Sequence, residues 1–244
     1  MTKFVYTFSS VGDLRNQLLH SLKSLLHYTD PDDVIVFATP PLNSQDLDLI
    51  EQTGVDIRQK DHVADEFVAF DRPQHYADKW HLTSVSADSI VFLDCDTLVF
   101  DDPHQLVSGP RFRAREGNAS IDSGKWRAMF ESLNEPLIDW MPNAGVLVFD
   151  NGLHQEIAED WWRFLQKDLP HLHENYHKEQ YALALAVGGY EANRLSPREH
   201  VFEWDEAPLS DGIVYHLHTD NRVGLYKEFK IKANKFKSNL CAFL

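Results

Sequence analysis

The stretch Ser89-Ile90-Val91-Phe92-Leu93-Asp94-Cys95-Asp96-Thr97-Leu98-Val99-Phe100 decides the fold. Ile90 to Leu93 is an unbroken apolar run, rich in β-branched and aromatic side chains and too short for a helix, so a buried strand is predicted over Ile90 to Asp94. Such a run without polar alternation belongs to a sheet covered on both faces. Two carboxylates, Asp94 and Asp96, close it with Cys95 between them, and Thr97 to Phe100 continues the apolar pattern on the far side. In an extended segment, residues i and i+2 point the same way, so both carboxylates reach one side. Hard oxygen donors of this kind suit Mn²⁺ or Mg²⁺, which keep coordination positions for diphosphate oxygens.

Outward from this stretch the chain alternates strands with helices. Phe4 to Phe8 reads as a strand, and Leu14, Leu18, Leu19, Leu22, Leu25 and Leu26 then recur at helical spacing. Val34 to Ala38 is a second strand stopped by Pro40 and Pro41, and a short helix over Asp46 to Gln52 leads into Val55 to Ile57. A helix is predicted around Tyr76 to Ser84. Gly145 to Phe149 is a strand, Glu156 to Leu165 and Gln180 to Val187 are helices, and Gly212 to His216 is the last strand. The pattern predicts an α/β fold with a mixed, mainly parallel sheet flanked by helices on both faces. In open sheets of this kind ligands sit beyond the carboxyl ends of the strands, where Thr7, Asp94, Asp96 and His216 fall.

The bulk composition narrows the class. A chain of 244 residues with 43% hydrophobic content fits one domain, 1–244, burying about 70–75% of its unfolded surface. The formal net charge of -15 argues against nucleic acid as a partner, because duplex binding needs a basic face. Two cysteines, Cys95 and Cys241, make no disulfide framework and fit a reducing compartment. Residues 1–10 lack the pattern of a signal peptide, and no window approaches the roughly 20 apolar residues of a membrane span, so a cytoplasmic location is expected.

Five ordered segments resemble glycogenin and other members of glycosyltransferase family 8. They are Phe4-Val5-Tyr6-Thr7-Phe8, Val36-Phe37-Ala38-Thr39-Pro40, Asp78-Lys79-Trp80-His81-Leu82 with the acidic stretch after it, Pro142-Asn143-Ala144-Gly145 with its strand, and Glu179-Gln180. The resemblance implies a GT-A fold and a metal-bound UDP-sugar, whose hexose passes to a hydroxyl acceptor on a glycan, glycolipid or glycoprotein with retention of configuration. It implies Mn²⁺ or Mg²⁺ on Asp94, Asp96 and a late histidine, with Cys95 inside the same motif. Thr7, Phe8 and Ser9 would flank the uracil and ribose, Lys79 would reach the phosphates or donor sugar, and Asn143, Glu179 and Gln180 would line the sugar and acceptor side.

The late histidine is His216 or His218, which share one side of an extended segment. The family places a Lys six residues after its His. Six after His216 is Arg222, an acceptable phosphate partner, whereas six after His218 is Gly224, so the spacing favours His216. The chain departs from the family just beyond, where Thr219 replaces the usual Gly and no Lys-Pro-Trp follows.

Two other classes stay open at this level. A phosphatase of the haloacid dehalogenase type also carries paired aspartates after a strand, but places Thr four residues after the first, and here position 98 is Leu. A non-catalytic sugar-nucleotide binder would keep the same donor residues. The interval between Pro103 and Pro142 reads as a long loop carrying Arg111, Arg113, Arg115, Lys125 and Arg127, a place for an acidic or phosphorylated acceptor. Trp126, Trp140, Trp161 and Trp162 are candidates for stacking on sugars or for the core. A basic tail, about 227–244, carries Lys227, Lys230, Lys232, Lys235 and Lys237 before Cys241-Ala242-Phe243-Leu244. It matches a peripheral membrane contact and a prenylation box.

Overall fold

A computed structural model of the chain describes residues 1–63, 74–117, 123–167, 169, 178–202, 204–205 and 212–217. The basic tail, His218 and Arg222 lie outside the described residues. Ten strands are described: β1 (Thr2–Phe8), β2 (Val34–Ala38), β3 (Asp56–Gln59), β4 (Ser89–Leu93), β5 (Thr97–Val99), β6 (Phe112–Glu116), β7 (Pro142–Phe149), β8 (Ala192–Arg194), β9 (His200–Phe202) and β10 (Val214–His216). The α-helices are α1 (Leu14–Leu25), α2 (Ser44–Glu51), α3 (Ser123–Leu133), α4 (Leu153–Glu156), α5 (Ala158–Gln166) and α6 (Lys178–Val187).

The main sheet runs β3-β2-β1-β4-β7-β6-β8. β3, β2, β1 and β4 are mutually parallel, β7 runs against both β4 and β6, and β8 is parallel to β6. Alternate residues of the central strands feed opposite faces, as a period of two requires. Val5, Ile35, Phe37, Ile90 and Phe92 join one core with α3, α5 and α6, and Phe4, Tyr6, Val34, Val36, Val91 and Leu93 join the other with α1. In α1 the residues Leu18, Ser21, Leu22 and Leu25 are buried, one face at helical spacing. Among the described residues no helix is long and apolar enough to cross a membrane.

Three expectations change. The apolar run does not continue through Asp94 to Asp96: Thr97 donates its backbone N–H to the Asp94 carbonyl at 3.1 Å and its hydroxyl to the same oxygen at 2.8 Å, closing a turn. β5 therefore leaves the main sheet and joins a second one of order β5-β10-β9. The segment Gln74–Ser84 is wound as a 3₁₀ helix rather than an α-helix. Its His, Tyr, Asp, Trp, Thr and Ser are weak helix formers, and its side chains are spent on tertiary bonds. Asp78 accepts from His62 at 2.8 Å and from the Val63 N–H at 2.9 Å, and Trp80 Nε1 donates to Ala158 O at 3.0 Å.

The interval between Pro103 and Pro142 is not a basic loop, because it supplies β6 and α3. Trp126, Trp140 and Trp161 are buried in the core, and Trp162 is half-buried with its ring 4.7 Å from that of Trp80. Arg113 and Arg115, two positions apart on β6, hold the small sheet instead of facing an acceptor. Arg113 pairs with Glu199 at 2.5 Å. Arg115 forms a two-pronged pair with Asp205, one prong at 2.8 Å, donates to His200 O at 2.6 Å and lies 4.0 Å over the Phe202 ring. In the Arg115 pair both members are mostly shielded from water, so removing the arginine leaves the Asp205 charge without its counter-ion. Arg115→Met is expected to cost about 3 kcal/mol in urea unfolding, and a cost below about 1 kcal/mol would show the clamp to be of the ordinary surface kind.

Candidate functional site

The turn at Asp94 is held from beneath by a chain of buried hydroxyls. Thr97 gives its proton to the Asp94 carbonyl, so the 3.1 Å contact to Ser21 Oγ requires Ser21 to donate, and the 2.9 Å contact between Tyr6 and Ser21 then requires Tyr6 to donate. Each hydroxyl has one proton, which fixes the direction of the series. Burial pushes the Tyr6 phenol above its ordinary pKa, so it keeps that proton.

Asp94, Asp96 and His216 bring one ligand atom each to within 4.8 Å of one another. His216 Nε2 is 3.2 Å from Asp96 Oδ1 and 4.0 Å from Asp94 Oδ2. β10 delivers the histidine by pairing antiparallel to β5, with His216 opposite Thr97. The two carboxylates thus converge through a turn and a partner strand, not through an extended i, i+2 geometry.

Lys79 completes the positive side. Its Nζ sits 3.0 Å from Asp94 Oδ1 and 2.9 Å from the Ala144 carbonyl, and the side chain is almost wholly buried. Burial alone would lower its pKa, but the charges of Asp94 and Glu179 and the hydrogen bond to Asp94 outweigh this and raise it above the ordinary lysine value. Glu179, buried at the start of α6, is close enough for its charge to act on Lys79, and Gln180 donates toward it at 3.4 Å.

Asn143, Ala144 and Gly145 on β7 form the seam between these parts. Asn143 Oδ1 accepts from Gly145 N at 2.9 Å, Ala144 O holds Lys79, and Gly145 O accepts from Asp94 N at 2.8 Å. Gly145 must lack a side chain, because a Cβ there would lie 1.9 Å from His216 Cε1.

On the β1 side, Thr7 O accepts from Cys95 Sγ at 3.1 Å, which sets the end of β1 against the acidic turn. Cys95 points inward, and burial followed by the charges of Asp94 and Asp96 pushes its thiol well up, so it stays protonated. The Phe8 ring lies in the core and its carbonyl accepts from Thr39 N at 2.8 Å, and Ser9 shares a buried 2.9 Å hydrogen bond with Thr39. The structure thus gathers Asp94, Asp96, His216, Lys79, Asn143 and Glu179 on one patch.

Sequence reading missed His200, whose Nε2 is 3.2 Å from His216 Nδ1. Its strand has three residues, too few for a periodicity signal.

The residues fit a divalent ion: one ligand atom from each of two carboxylates and an imidazole lies within 4.8 Å of the others, and glycine clears the space for the ring. No family model matches this sequence, and no curated protein matches it at significance. Solved structures do. An active-site mutant of LgtC superposes with a TM-score of 0.64 at 15% identity over 96% of each chain. The galactosyltransferase LgtC in complex with donor and acceptor sugar analogs gives 0.61 at 16% identity, again over 96% of each chain. The bifunctional glycosyltransferase WbbM gives 0.57 at 14% identity, covering 89% of this chain and 45% of its own. GlyE of Streptococcus pneumoniae TIGR4 gives 0.58 at 16% identity, covering 88% and 54%. The chain spans about half the length of those last two proteins and nearly all of LgtC. It therefore has the GT-A fold of glycosyltransferases.

Proposed function

We propose that the protein is a metal-dependent glycosyltransferase of family 8 type, moving a hexose from a UDP-sugar to a hydroxyl acceptor with retention of configuration. The observation that carries this reading is the convergence of Asp94, Asp96 and His216 beside the buried Lys79, at the carboxyl end of β4. Asp94, Asp96 and His216 would hold Mn²⁺ or Mg²⁺, which when bound stabilises the negative charge of a departing diphosphate.

The remaining chemistry belongs to the chain. Lys79 pairs with Asp94 and adds a fixed positive charge next to the site, where donors already oriented need no reorganisation as charge develops. Arg222 is proposed as a second cation for the diphosphate. Thr7, Ser9 and the Phe8 main chain would border the nucleoside. Asn143, Glu179 and Gln180 would line the sugar and acceptor side, with Glu179 supporting positive charge at the anomeric carbon. The acceptor is a hydroxyl on a glycan, glycolipid or glycoprotein, and the basic tail would bring the protein to an anionic membrane from the cytoplasm.

Metal removal tests the reading. With MnCl₂ present, UDP should bind and a UDP-sugar should be hydrolysed slowly, and excess EDTA should abolish both until Mn²⁺ is restored. Equal UDP binding in EDTA would sink the proposal. Hydrolysis of p-nitrophenyl phosphate without any action on UDP-sugars would favour the phosphatase, and saturable UDP binding with no turnover would favour the non-catalytic binder.

A further inference from the structure

We propose that His200 is the positioning residue for His216, fixing both the plane of its ring and the nitrogen that carries its hydrogen. This rests on the metal reading above. His200 is wholly buried on β9, its Nε2 lies 3.2 Å from His216 Nδ1, and the ring centroids are 5.3 Å apart with 27° between their planes, so the rings meet edge to edge. β9 and β10 are parallel neighbours with Val214 opposite His200 and Phe202 opposite His216, so the two imidazoles meet two residues apart in register.

An imidazole binds a cation through a nitrogen lone pair. The nitrogen of His216 that faces the carboxylates is Nε2, so its hydrogen must sit on Nδ1. That hydrogen points at His200. His200 then accepts through an unprotonated Nε2 and carries its own hydrogen on Nδ1. Metal-ligating histidines more often donate to a carboxylate or a carbonyl. Here a carboxylate would put a buried negative charge next to the pair Asp94 and Asp96, a costly addition, and a neutral ring avoids it.

His200 is itself held. Arg115 Nη1 donates to its carbonyl at 2.6 Å, its ring stands edge-on to Phe202 at 4.7 Å, and the Arg115 guanidinium covers the Phe202 ring. The clamp between the two sheets is therefore continuous with the ion ligand: Arg115 fixes the His200 backbone, and His200 fixes the His216 ring.

The test uses the full chain and MnCl₂ as the probe, titrated calorimetrically with UDP present, together with long-range ¹H–¹⁵N spectra of the histidines in the diamagnetic Mg²⁺ state. His200→Phe keeps a flat aromatic ring in the core and removes the acceptor, and a 10–100-fold loss of Mn²⁺ affinity is expected. His200→Gln, whose amide oxygen can take the hydrogen, should recover most of that loss and keep His216 in the Nδ1–H form. If His200→Phe does not fold, His200→Leu takes its place against the same His200→Gln rescue. Variants that bind Mn²⁺ within about twofold of the parent, with the His216 signals unmoved, overturn the proposal. A parent chain that binds no Mn²⁺ overturns the metal reading and this proposal together, so the two failures are told apart by the parent alone.

Discussion

Asp96→Ala is expected to lower metal-dependent turnover of a UDP-sugar by about 10³-fold, since it removes a ligand that acts where charge develops. The fold should survive. Asp96 sits in the turn with 15% of its side chain exposed and faces His216, and its loss relieves repulsion with Asp94. The melting temperature should move by no more than about 4 °C, the equivalent of roughly 1 kcal/mol in a chain this size. Asp94→Ala should differ, because it also takes the nearest counter-charge from the buried Lys79 and so costs stability as well as turnover. Turnover by Asp96→Ala equal to that of the parent, measured across a range of Mn²⁺ concentrations, would end the assignment of this pair.

The second large effect comes from a residue without any chemistry. Gly145→Ala inserts a carbon 1.9 Å from Cε1, 2.4 Å from Nδ1 and 2.8 Å from Nε2 of His216. No real contact is that short, so either the ring swings away from Asp96 or β7 shifts, and β7 is bonded on both sides to β4 and β6. The ring is the softer element. Displacing it by about 1 Å is enough for a loss on the order of 10²-fold. Calorimetry of UDP with Mn²⁺ should therefore find Gly145→Ala and His216→Ala equally impaired, both folded by circular dichroism. Parent-like affinity in folded Gly145→Ala would show that the ring has another place to go and is not fixed by this seam.

Much of the fold around the candidate site was legible in the sequence because it uses signals that survive in one dimension. The buried run Ile90 to Leu93 and the strands Phe4 to Phe8 and Val34 to Ala38 are unbroken apolar segments, and the structure places them as neighbouring parallel strands. The turn at Asp94 was not legible, because the Thr97 hydroxyl that helps close it is backed by Ser21 and Tyr6 on other elements. Nor was the strand role of Arg113 and Arg115: their charge reads as a solvated loop unless Glu199 and Asp205, far along the chain, are known to lie beside them. His200 was hidden for the same reason. The family resemblance named Asn143-Ala144-Gly145, and the contacts now give each residue a separate physical task.

The departure of β5 from the main sheet has a further consequence. Asp96 precedes β5 directly, and His216 ends its partner β10, about half the chain length later. An ion held between them would act as a reversible clasp across that span, closing a loop that the unfolded chain must otherwise close unaided. Occupancy of the site and retention of the small sheet would then become one equilibrium, so the cellular supply of the ion would set how tightly that span is gathered.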